Sequence, residues 1–174
     1  MQETYVDDIG RVIQNKKKLE SELKIKITNK GKNVFISGKP EDEFIGLKAM
    51  EAINLGFSIE RALFLKNPDI LLQSLNIKEV TNKDNLEAIR ARVIGTQGKT
   101  LRTLNKLTDC AISLKDNQIG IIGNCEDIKD TLQAMTSIVR GSKQGNVYAR
   151  LEREKKQKRL MDKDIDEDMD NEKI

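Results

Sequence analysis

The 174-residue chain contains no histidine and no tryptophan, and it has two cysteines. Without histidine, Ser-His-Asp and Cys-His catalysis lose their usual general base. Cys110 and Cys125 sit among apolar neighbours and cannot assemble a four-ligand zinc site by themselves. They are expected to be small buried hydrophobes. Aromatic residues are also scarce: Tyr5, Phe35, Phe44, Phe57, Phe64 and Tyr148 are the whole set, and residues 65 to 147 contain none. That scarcity disfavours modules that stack bases on sheet aromatics. No apolar stretch approaches the length that spans a bilayer, and MQETYVDDIG lacks the basic and apolar regions of a signal peptide. A soluble, cytoplasmic protein with no membrane contact is expected.

With 37% hydrophobic residues the chain can fill modest cores, which suits two small domains better than one large one. The formal charge of +3 conceals an asymmetry. Residues 164 to 174 hold six acids against one lysine, which leaves +8 on residues 1 to 163. Such a surplus is the footprint of a polyanion binder, with an acidic tail expected to be disordered. Just before the tail, ARLEREKKQKRLMDK is a basic helical segment, expected to be an exposed extension that lies on RNA or on a protein.

The chain repeats itself. Arg11, Val12 and Ile13 align with Arg92, Val93 and Ile94 at an offset of 81, as do Lys18 with Lys99 and Leu23 with Leu104. Further on the offset is 85, with NVFISGKPED (33 to 42) against QIGIIGNCED (118 to 127) and LKAMEAINLG against LQAMTSIVRG. The first copy is therefore four residues shorter, and this alignment puts the gap between Leu23 and Ile25.

In the second copy, LLQSLNIKEV (71 to 80) alternates like a strand, and TNKD (81 to 84) offers caps for a helix ending at Ile94. After Gly95 to Gly98 a second helix carries Leu101, Leu104 and Leu107. CAISLKD and QIGIIG then read as a strand pair, and residues 126 to 139 as an amphipathic helix stopped at Gly141. The order is βααββα.

Between the first two helices lies GTQGKT (95 to 100). A P-loop needs four residues between its glycines to arch around nucleotide phosphates, and Gly95 is two residues too close to Gly98. No paired carboxylates or metal-ligand cluster accompany it, so no enzyme activity and no cofactor are expected. The order of elements and the run V-I-G-x-x-G-x-x-L, carried by Val93, Ile94, Gly95, Thr96, Gln97, Gly98, Lys99, Thr100 and Leu101, resemble a type I KH domain. In such domains the GxxG loop clamps the backbone of a short single strand while its bases lie in an apolar groove.

The residues make that chemistry intelligible. Glycines let the helices turn sharply and let phosphates approach without a Cβ in the way, and the following helix aims its positive end at them. The expected RNA-binding set is Arg90, Arg92, Ile94, Gly95, Thr96, Gln97, Gly98, Lys99, Leu101 and Arg102. Thr96 and Gln97 are neutral where many KH loops carry a cation, which shifts the burden to Lys99 and the helix end. The first copy reads Gln14, Asn15, Lys16, Lys17 at the aligned position, without glycines, and is expected to serve as a structural or protein-contacting module.

Two such units, the first degenerate, followed by NVYARLEREKK with Val147, Tyr148, Leu151 and Glu152, resemble the Dim-type, partner-of-Nob family of small-subunit ribosome-assembly factors in archaea and eukaryotes. The resemblance implies two type I KH domains, an α/β (α+β) architecture, packed side by side with joined sheets. The division is residues 1–66 for the degenerate unit, 67–145 for the GxxG unit, 146–163 for the basic extension and 164–174 for the acidic tail. It also implies a monomer that binds the 3′ end of small-subunit rRNA beside a 3′-end endonuclease, a dimethyladenosine methylase and the alpha subunit of initiation factor two. The alternative is a protein-interaction adaptor that uses both KH folds as scaffolds, with incidental RNA contact.

Overall fold

A computed structural model describes the backbone of residues 1–171 and the side chains of residues 1–163 and 165. The first unit runs β1 (Gln2–Tyr5), α1 (Ile9–Gln14), α2 (Lys16–Leu23), β2 (Lys26–Lys30), β3 (Asn33–Ser37) and α3 (Pro40–Asn54). A short α4 (Ile59–Leu63) and a 3-10 turn (Phe64–Lys66) lead into the second unit. That unit is β4 (Ile70–Asn76), α5 (Ile77–Val80), α6 (Leu86–Ile94), a 3-10 turn (Thr96–Gly98), α7 (Lys99–Thr108), β5 (Ala111–Lys115), β6 (Gln118–Asn124) and α8 (Cys125–Arg140). A long α9 (Gln144–Asn171) closes the described chain.

Each unit holds an antiparallel three-stranded sheet with its third strand in the middle, in the orders β1-β3-β2 and β4-β6-β5. Strand alternation sends Ile27, Val34 and Ile36 into the first core, where they meet Met50 and Ile53 of α3. The second core gathers Ile112, Ile119 and Ile121 against Val93, Leu104, Met135 and Ile138 from the helices. Each fully buried Leu or Ile contributes about 1.5–3 kcal/mol, so these sets dominate the stability of both units.

The two sheets are not joined edge to edge as the resemblance implies; among the described residues no strand of one pairs with a strand of the other. Contact is made through a sheet face instead. Ile122 and Leu72 are paired across β6 and β4, and they belong to the first unit's core although they lie in the second unit's sheet. On the same face Ser113 donates its hydroxyl to the Leu55 carbonyl at 2.8 Å. A Cβ on Gly120 would stand 2.7 Å from the Phe57 ring, so the glycine is the seat of that ring. Because β6 is covered on both faces, QIGIIG is a continuous apolar run rather than an alternating one.

Local chemistry also moves some boundaries. The strand expected over 71–80 stops at Asn76, whose side chain accepts the Lys78 amide at 3.0 Å and starts a helical turn. The cap of α6 is Asn85, one residue past TNKD, with the Ala88 amide at 3.0 Å. At the far end Gly141, at φ +109°, stops α8 as the sequence suggests.

The basic extension is not free. Val147 and Leu151 are buried in the second core. Lys155 pairs with Asp109 at 2.7 Å, and Lys158 pairs with Asp130 at 2.7 Å and Asp127 at 3.3 Å. The hydrogen bond that it donates to Asp130 is the main reason that the Lys158 ammonium is held above its ordinary pKa, with burial opposing it. No proline or glycine interrupts the chain after Gly145, so α9 continues to Asn171 where disorder is expected from residue 164. Residues 172–174 of that tail lie outside the described residues. Among the described residues no helix is long and apolar enough to cross a membrane.

Candidate nucleic-acid interface

The turn between α6 and α7 is built from three demands on the backbone. Gly95 sits at φ +74°, ψ 172°, a conformation open essentially to glycine alone. A Cβ there would lie 2.1 Å from the Thr100 hydroxyl and 2.8 Å from its amide nitrogen, so Gly95 also makes room for the start of α7. Gln97 takes the left-handed region at φ 52°, and Gly98 follows at φ +74°. Around Gly98 there is open space: a Cβ would meet nothing within 4 Å. The two glycines therefore have different jobs. Gly95 closes the joint, and Gly98 leaves a bare backbone facing outward.

With Gly98 as its cap residue, α7 has no side chain on its first amides; the Gly98 and Lys99 amides close the turn onto the Gly95 and Thr96 carbonyls, so what the helix start offers an anion is its positive end. Lys99, Arg92 and Arg102 are exposed. None of them pairs with a carboxylate among the described residues. An open cavity of about 710 Å³ beside the turn is walled by Arg92, Lys99 and Lys143 and has no acidic lining residue. A phosphate there meets positive charge without a competing carboxylate.

The expected set divides in space. Arg92, Gly95, Thr96 and Lys99 converge on that cavity. Arg90 points elsewhere, donating to the Asn117 side chain at 2.8 Å and tying α6 to the β5–β6 turn. Ile94 is 39% exposed, four residues and so about one turn from Arg90. Leu101 is half-buried against the second core, so these two offer apolar surface next to the loop rather than phosphate contacts. Thr96 and Gln97 are exposed at the tip.

Two residues outside the expected set support the turn. Thr100 is buried and continues the inward row of Leu104 and Thr108, a spacing of four that was legible in the sequence. Gln144, at the start of α9, donates to the Arg92 carbonyl at 2.9 Å and to the Thr100 hydroxyl at 3.1 Å. It pins the outgoing end of α6 to the incoming end of α7 across a long sequence distance, and no local signal announces it.

The first unit has no counterpart of this turn. Gln14 ends α1, Asn15 alone joins the helices, and Lys16 and Lys17 already belong to α2. Val12 and Val93 are equivalent buried residues at the offset of 81. From Leu19 and Leu104 onward the offset is 85: both are fully buried, and Lys24 and Asp109 are the left-handed caps that end α2 and α7. The missing four residues thus lie at the turn itself, not after Leu23. The first copy has deleted the loop rather than replaced its glycines.

The model for the eukaryotic-type KH domain (type I) matches residues 71–156, from β4 into α9. A KH domain-containing protein of Methanocaldococcus jannaschii is 30% identical over 154 residues, covering 84% of this chain and 68% of that protein. A pre-rRNA-processing protein PNO1 of Debaryomyces hansenii is 31% identical over 109 residues, 61% of this chain and 43% of the other. The chain thus spans about two thirds of the archaeal relative and less than half of the yeast one. Among solved structures, Dim2p of Pyrococcus horikoshii OT3 in complex with a/eIF2alpha and rRNA superposes with a TM-score of 0.81 at 32% identity, over 90% of this chain and 95% of that one. By fold, by the geometry of its glycine turn and by these likenesses, the chain belongs to the PNO1-type KH-domain family, which has archaeal Dim2 homologues.

Proposed function

We propose that this protein is an RNA-binding factor of small-subunit ribosome assembly whose second unit holds the single-stranded 3′ end of the rRNA at the 95–98 turn. The observation that carries the reading is the glycine turn at a helix start, where Gly95, Arg92 and Lys99 line one cavity with no carboxylate in its wall and Gly98 leaves open space beside the helix end. Support also comes from the Pyrococcus relative, solved with rRNA and a/eIF2alpha. Phosphates would sit at the positive end of α7 and take the two cations. Ile94 and Leu101 would lie under the bases.

In this reading the protein is a placeholder on RNA, not a catalyst. It acts in the cytoplasm as a monomer, beside the alpha subunit of initiation factor two, the 3′-end endonuclease and the dimethyladenosine methylase. The first unit is a second KH domain that has lost its clamp, leaving residues 1–66 for other contacts and 67–145 for the strand.

Replacing Thr96 and Gln97 by aspartate sets two carboxylates against the phosphates while sparing both glycines. The double variant should fold and lose binding to an oligonucleotide of the rRNA 3′ end, whereas the same change at Asn15 and Lys16 should have little effect. Three phosphate contacts on a single strand give a slope of about −2 in log affinity against log salt, roughly a twentyfold loss between 50 and 200 mM. Unchanged affinity in the folded Thr96→Asp, Gln97→Asp chain sinks the RNA reading and favours a protein adaptor.

A further inference from the structure

The first unit has lost its loop, but its sheet is open where the second unit's is covered. Since Ile27, Val34 and Ile36 point into the core, the alternate residues Lys26, Thr28, Lys30, Phe35 and Tyr5 point out. Tyr5 pairs with Asn33 and Phe35 with Glu3 across the β1–β3 ladder, so the two aromatic rings are diagonal neighbours on one face. Tyr5 is 52% exposed, and Phe35 is half-buried beside it. The Lys32 ammonium stands 5.7 Å from the Tyr5 ring centroid. Lys26, Lys30 and Lys32 are all exposed and pair with no carboxylate among the described residues. The one acid on the face, Glu3, accepts a hydrogen bond from Asn33 at 2.9 Å.

We infer that this face is a second contact for single-stranded RNA, with a base stacked on Tyr5 against Phe35 and the neighbouring phosphates held by Lys30 and Lys32. Flat rings give a stacking surface that tolerates any base, and unpaired lysines at the rim supply the charge. A protein partner with an apolar face would leave three lysines unmatched; a polyanion matches them. Scarcity of aromatics in the chain as a whole argues against base stacking, but strand pairing gathers two of the six onto this one surface. The inference rests on the reading that the protein binds single-stranded RNA.

Tyr5 can be read directly, because the chain has no tryptophan and its only other tyrosine is Tyr148. In a Tyr148→Phe chain that also carries Thr96→Asp and Gln97→Asp, the second unit's turn is silenced and all tyrosine emission comes from Tyr5. A single-stranded twelve-nucleotide RNA should quench that emission saturably, more than a duplex of equal absorbance does, and Lys30→Glu with Lys32→Glu should weaken the quenching. With the turn intact, Tyr5→Ala should lower the affinity for the same strand roughly tenfold and leave a four-nucleotide strand unaffected. Emission that responds no more to single strand than to duplex overturns the inference, as does a response to the alpha subunit of initiation factor two but not to RNA. Either result leaves the turn's own binding, measured by anisotropy of the four-nucleotide strand, to stand or fall separately.

Discussion

Gly95 and Gly98 look interchangeable in the motif, and the structure predicts that they are not. Gly95→Ala incurs the strain of an essentially glycine-only conformation, about 1–3 kcal/mol. It also places a methyl 2.1 Å from the hydroxyl of the buried Thr100 and 2.8 Å from its backbone nitrogen, an overlap of the kind that costs about 1–3 kcal/mol more. The sum, about 2–6 kcal/mol, is a large share of a domain's stability and should lower the melting temperature by roughly 4–24 °C. Shortening Thr100 to serine should not rescue it, because the backbone nitrogen stays in the way. Gly98→Ala keeps a left-handed φ but meets no atom within 4 Å, so it should cost about 1 kcal/mol and only about 2–4 °C. Its methyl nevertheless covers the bare backbone, and holding a phosphate away from the positive end of α7 should weaken RNA binding roughly fivefold. Thermal melts of both variants, paired with anisotropy titrations of a four-nucleotide RNA, check the contrast. Equal melting temperatures, or a folded Gly98→Ala chain that binds RNA like the parent, would refute the division of labour.

At the contact between units, Gly120→Ala should cost about 1–3 kcal/mol by pressing on Phe57 and Leu55. It should leave the affinity of the short strand unchanged, since the turn lies on other elements. For the thiols, Cys125 is exposed and Cys110 buried, so a disulfide-exchange reagent should titrate one thiol quickly and the second only on unfolding. Burial is the main cause holding the Cys110 thiol above its ordinary pKa. The unfolded thiol therefore ionises first, and stability present at neutral pH falls as pH rises through about 8.5 toward the folded value. Melts from neutral to alkaline pH should show a steeper decline in the parent than in Cys110→Ala; equal slopes would mean that the thiol is not shielded.

Much of the second unit was legible in the sequence. Period and capping residues are local properties, and they placed α6, α7, the β5–β6 pair and α8 with its Gly141 stop close to where they lie. The repeat and the glycine turn were legible for the same reason, since backbone conformation at Gly95 and Gly98 is set by what those residues lack. Contacts between distant segments were not. That Gln144 clasps the two ends of the turn, that Lys155 and Lys158 are drawn onto the acids of their own domain, and that Gly120 seats Phe57 all depend on packing between residues far apart in sequence. The alignment placed the four-residue gap after Leu23 because the match of one leucine and one lysine carried it too far. Burial of Leu19 with Leu104 and the paired left-handed caps moved the gap onto the loop. The sequence by itself determined a repeated unit and one glycine turn between two helices. Only the tertiary structure decided that the first turn is absent, that one sheet is covered by its neighbour and the other is bare, and hence which surfaces an RNA strand can reach. The reason is physical: a motif is written in the torsions of a few adjacent residues, whereas exposure is the outcome of every other segment finding its place.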